Sequence, residues 1–208
     1  MIVFACISPH PPVLLPDVGP PHKKDQVKST IQNLSALGNT LEKKAPDEII
    51  ISSPHTDWGF NVPLYFLAPD FQGKIHKYLT GSENPHFHFE EGKKTYHSTI
   101  KNQKTDIALI ASGDLSHRLM DGGPDDFNPE GPVYDQELID SLKSCGIKHI
   151  LNLTEIYPNA GECGHRSFCY LLGILEAQYE ETSKSYSAEI LSYEAPFGVG
   201  YLVAEFKL

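Results

Sequence analysis

Four segments of this chain carry residues whose types and spacing could do chemistry: Ser8-Pro9-His10, Ser53-Pro54-His55, Gly113-Asp114-Leu115-Ser116-His117 and Gly161-Glu162-Cys163-Gly164-His165. The first three each follow a short apolar run, at residues 2–7, 49–51 and 107–111. In an open α/β sheet, ligands bind beyond the carboxyl ends of the strands. If the three runs are parallel strands, His10, His55 and His117 arrive at one edge. Two histidines and one carboxylate around a metal with open positions make a non-haem Fe(II) centre.

Each residue also has a plainer reading. Prolines on both sides of His10 forbid helix and stiffen the loop, which suits a ligand and equally suits a hydrogen-bonded turn. The second Ser-Pro-His, ending at His55, tips the balance to metal ligation for both. Asp114 and His117 lie three apart, so a helical turn starting after Gly113 would put them on one side. There the carboxylate would orient the imidazole and raise its pKa, as a general acid–base requires. The alternative is that Asp114 only caps a helix. Glu162 and Cys163 are neighbours, and one of them is expected to complete the metal set. The carboxylate of Glu162 is the expected choice, although it would also complement a helix dipole. The softer thiolate of Cys163 is the alternative. His165 supports the ligands, faces substrate or is merely exposed. His86 and His88 alternate on an expected strand or loop with no third partner, a weak metal signal. His22, His76, His97 and His149 read as surface residues.

The elements that must position these residues follow from periodicity. Residues 2–7, 48–52 and 107–111 read as strands. Val27, Ile31, Leu34, Leu37 and Leu41 put one apolar stripe on a helix over 23–44. Residues 60–71 are expected to form a strand and a loop, 74–89 show some alternation, and 92–103 suit a helix. Turn residues mark 121–129 as a loop. Helices are expected over 133–143, 147–153 and 167–179. Strands at 189–193 and 200–206 flank Pro196-Phe197-Gly198, which suggests a hairpin. The order fits one three-layer α/β/α domain, residues 1–208, with a central mixed sheet.

Composition narrows the partners. The chain has 208 residues and a formal charge of −10, so nucleic acid and anionic membrane surfaces are poor partners. No apolar run approaches the ~20 residues that span a bilayer. The four cysteines make no CxxC pair, and Cys6 sits in an expected strand, which suggests reduced thiols and a cytoplasmic setting. No GxGxxG, Walker loop, GxSxG or HExxH motif is present, so nucleotide cofactors, the α/β-hydrolase elbow and the common zinc helix are not indicated.

In their order and spacing, these motifs resemble the class III extradiol dioxygenase catalytic-subunit superfamily, which includes the Memo proteins. The closing Tyr193-Glu194-Ala195-Pro196-Phe197-Gly198-Val199-Gly200-Tyr201 is similar to the C-terminal segment of small bacterial members. The resemblance runs from His10 to Tyr201. It implies an Fe(II) held by His10, His55 and Glu162, with His117 as the acid–base. In the Memo branch the third ligand is a cysteine, here Cys163, and zinc or copper are alternative metals. The implied substrates are a small aromatic diol and O2. A second copy of the chain or a separate small subunit is a further partner in such enzymes. The rival expectation is a Memo-like metal-binding or redox-linked protein without dioxygenase turnover.

Overall fold

Ile49 and Ile51 enter one apolar cluster with Phe4, Cys6, Ala108 and Ile110, while Ile50 enters another with Ala5, Ile7, Leu109 and Ala111. Strands covered on both faces must be apolar throughout, and the three central runs are. The computed structural model describes all 208 residues. Strands β1 (Ile2–Ser8), β2 (Glu48–Ser53), β3 (Lys74–Leu79) and β4 (Ile107–Ser112) are parallel. Strands β5 (Ser187–Glu194) and β6 (Tyr201–Lys207) form an antiparallel hairpin beside β1. The sheet order is β3-β2-β4-β1-β6-β5. This is an α/β fold with a mixed sheet, as the sequence suggested.

Helices cover both faces. A five-residue helix α1 (Pro21–Asp25) leads to α2 (Lys28–Lys44), which packs with α3 (Trp58–Leu67) against one face. On the other lie α4 (Pro85–Thr95), α5 (Glu130–Lys143), α6 (Ile147–Ile156) and α7 (His165–Thr182). No helix is long and apolar enough to cross a membrane.

Three local expectations are corrected. The helix expected over 23–44 breaks at Gln26 and Val27, because Val27 turns into the core and Glu194 of β5 caps the new start. Its carboxylate accepts the amides of Ser29 and Thr30, orphan donors of the first turn. Residues 58–67 are helical rather than a strand. Pro63 is accommodated there, with its ring buried on the core side. His86 and His88 lie on α4, capped by Asn84, not on a strand. His88 is buried and meets the Tyr78 hydroxyl through Nδ1 at 3.0 Å.

Candidate metal centre

Strands β1, β2 and β4 are adjacent and parallel, so the turns after them share one edge. His10 and His55 meet there with ring centroids 5.1 Å apart. Cys163, just before α7, places its Sγ 3.4 Å from Nε2 of His10. One donor atom each from His10, His55 and Cys163 lie within 4.8 Å of one another, close enough to share a metal ion. A second such group, Asp114, His117 and Cys163, uses the same sulfur.

Close backbone approach makes this meeting possible. A Cβ on Gly113 would lie 2.1 Å from the Cα of Gly164, so the end of β4 and the start of α7 touch main chain to main chain. The amide of Gly164 donates to the Asp114 carbonyl at 2.9 Å, and the amide of His117 donates to Gly161 at 3.0 Å. Cys163 is thereby held beside Asp114. Residues 113–118 form no helical turn. Asp114 instead accepts the amide of His10 at 3.0 Å, pinning the proline-rich loop.

Burial sets the protonation states. The His10 pKa falls to about 3, through burial first and His55 second, so its imidazole is neutral. Burial also lowers the pKa of His117, opposed by Asp114 and Asp125. Nε2 of His117 is buried with no hydrogen-bond partner, an orphan that wants an occupant in the site. Burial and the Asp114 charge push the Cys163 thiol well up, so a metal would have to displace its proton. Asp114 is raised to about 6, chiefly by burial.

Residues 55–204 match the family model described as the catalytic LigB subunit of aromatic ring-opening dioxygenase. This chain belongs to that family. It is 27% identical to Protein CA_C1420 of Clostridium acetobutylicum over 97% of its own length and 56% of the relative's. The chain thus spans about half the length of the curated relative it matches. The crystal structure of the uncharacterized protein JW3007 from Escherichia coli K12 superposes with a TM-score of 0.64 at 16% identity, covering 98% of this chain and 99% of that one.

LigB-family proteins are typically metal-dependent, and the donors here suit that. Imidazoles fit iron, zinc or copper, and a thiolate favours the softer of them. Glu162 stands apart from the cluster. Its carboxylate accepts the amide of His165 at 2.7 Å and lies 3.7 Å from Arg166, so it caps α7. His165 points away into the core and meets Tyr134 through Nδ1 at 2.8 Å.

Other contributors gave little sequence signal. Trp58 lies 5.0 Å from His55, half-exposed beside the cluster. Ser112 sits 3.0 Å from Nδ1 of His10, and only its place at the end of a strand hinted at it. Asp135, in the middle of α5, accepts the Ser116 amide and was hidden among ordinary helix residues. Clefts of about 820 and 780 Å³ elsewhere on the surface touch none of these residues.

Proposed function

We propose that this chain is a metal-dependent extradiol-type dioxygenase that opens a catechol-type diol with O2 and uses Fe(II). The observation that carries the reading is the convergence of His10, His55 and Cys163 within 4.8 Å, beside the unpartnered Nε2 of His117, in a LigB-family chain.

In this reading His10, His55 and Cys163 hold the ion. A bound divalent iron supplies Lewis acidity and open positions for the diol and O2. The protein's own residues do the rest. His117 accepts a hydroxyl proton of the diol at Nε2 and later returns it. Asp114 favours the imidazolium that forms, since its charge raises the His117 pKa. Trp58 offers a flat wall for the aromatic ring. The test is oxygen uptake by protein loaded anaerobically with Fe(II), against a panel of catechols, with bound iron quantified in the same sample. Uptake coupled to a yellow ring-opened product supports the proposal; no uptake from iron-loaded protein rejects it.

One observation favours a second reading, a Memo-like metal-binding protein without ring cleavage. The third donor in reach of both imidazoles is the Cys163 thiol, whereas the Glu162 carboxylate is occupied at the start of α7. Iron- or copper-loaded protein that is inert to every catechol, yet loses its metal on Cys163→Ser, would select that reading.

A further inference from the structure

The geometry points to a tautomer lock on His10, set by Pro63 through Gly59 and Ser112, that aims the Nε2 lone pair into the metal cluster. The inference deepens the metal-centre reading above and rests on it only for its consequence, not for its geometry.

The chain of cause begins with a missing donor. Proline has no amide hydrogen, so inside a helix it leaves the carbonyl four residues earlier without its partner. In α3, Pro63 frees the carbonyl of Gly59 in this way. That carbonyl is buried at the strand edge and is taken by the hydroxyl of Ser112, which donates to it. A serine hydroxyl carries one hydrogen. With that hydrogen spent on Gly59, the oxygen can only accept from Nδ1 of His10, 3.0 Å away. Nδ1 must therefore carry the imidazole hydrogen. The other nitrogen, Nε2, is left with a free lone pair, and it is the atom that faces the Cys163 sulfur at 3.4 Å.

The burial of all parties makes the lock firm. Ser112 is fully buried and His10 is 2% exposed, so water offers neither an alternative partner. A metal-binding histidine normally donates its other ring hydrogen to a fixed acceptor, which orients the ring and sets which nitrogen is free. Here the acceptor is the Ser112 hydroxyl, made acceptor-only by Pro63, a residue distant in the chain. Ser112 and Pro63 are positioning residues, since neither would touch metal or substrate.

The test reads the tautomer directly in metal-free protein. Imidazole nitrogen NMR on the wild type should show His10 hydrogen-bearing at Nδ1 and bare at Nε2. Ser112→Ala should mix the two tautomers. Pro63→Ala, which returns a competing amide hydrogen to Gly59, should shift the same resonances in the same direction. Zinc binding, measured with zinc alone, should weaken by ~10–100-fold in Ser112→Ala while thermal unfolding stays cooperative. A wild-type His10 with its hydrogen on Nε2 overturns the inference, as does a Ser112→Ala protein whose tautomer is unmoved. A correct tautomer in a wild-type protein that binds no zinc, iron or copper would leave the lock standing and remove the metal reading instead.

Discussion

Asp135 reaches from α5 to the amide of Ser116 and accepts its hydrogen bond at 2.8 Å. Its other oxygen accepts the Tyr193 hydroxyl at 2.6 Å. Ser116 is tied on every side. Its carbonyl accepts the Gly200 amide, and its hydroxyl donates to Ala160. The segment between Asp114 and His117 is therefore held from behind by a buried carboxylate, against both β6 and the turn that carries Cys163.

That carboxylate should leave a mark on stability. Burial raises the Asp135 pKa from the ordinary 3.8 to about 7, with its two hydrogen bonds opposing. A group that binds its proton more tightly when folded stabilises the protein at low pH. The folded chain keeps the proton between about pH 4 and 7 while the unfolded chain gives it up, so stability falls as pH rises through that window and is flat above it. The whole effect is at most about 4 kcal/mol. Buried His10 and His165 work in the opposite direction, because their folded pKa values are lowered to about 3 and about 4. The comparison with Asp135→Asn isolates the carboxylate. The difference between the two urea midpoints should shift in the wild type's favour as pH falls from about 7.5 to about 4.5. A difference that stays constant with pH would mean that Asp135 is not protonated in the folded protein.

Cys163 and Glu162, adjacent in sequence, should separate cleanly by mutation. Cys163→Ser is expected to weaken metal binding by ~100-fold or more, with the fold retained, since a hydroxyl is a poor ligand for the same ion. His10→Ala and His55→Ala should do likewise. Glu162→Gln should bind metal within a few-fold of wild type. Its cost is to stability, about 1 kcal/mol for a weakened start to α7. Metal affinities by chelator competition, with melting curves on the same samples, check both halves. The reverse ranking, with Glu162→Gln losing metal and Cys163→Ser keeping it, would return the site to a two-histidine, one-carboxylate set.

The histidines, the edge they share and the sheet behind them were legible because each depended on local sequence. Three β-branched or apolar runs ending in polar turns give buried parallel strands, and parallel strands align their carboxyl ends. What stayed hidden depended on contacts distant in the chain. The periodicity of residues 23–44 is continuous, and only the Glu194 carboxylate, from β5, shows why a new helix starts at Lys28. A proline inside a helix is unfavourable, yet over 58–67 the Pro63 ring is buried and the Gly59 carbonyl it leaves free accepts from Ser112. In sequence Glu162 was the expected third ligand and Cys163 the alternative. Their separation comes from the turn at Gly161, which aims one side chain at the α7 amides and the other at His10.

His117→Ala should separate chemistry from metal binding. The side chain lies in the second donor group, not with His10 and His55, so the ion's first set is intact without it. Loss of a positioned acid–base typically costs ~10²–10⁴-fold in turnover. Iron content should stay near one per chain, while oxygen uptake with the best catechol falls by that factor and KM changes little. Iron loss in the variant would show that His117 is a ligand rather than the proton carrier.

Gly113→Ala tests whether the close approach of β4 and α7 builds the centre. The added methyl would sit 2.1 Å from the Cα of Gly164, a backbone atom that no rotamer change can move aside. The two segments must part. Over-packing of a buried contact costs about 1–3 kcal/mol. The same displacement carries Cys163 away from His10, because Gly164 and Cys163 move as one turn bonded to Asp114. We therefore expect Gly113→Ala to melt lower and, while still folded, to lose metal affinity to an extent approaching Cys163→Ser. Ser98→Ala, at an exposed residue, serves as the control and should leave both properties unchanged. A Gly113→Ala protein that is destabilised but binds metal as tightly as wild type would show that Cys163 is not held in place through this contact, and would weaken the case for the thiol as the third ligand.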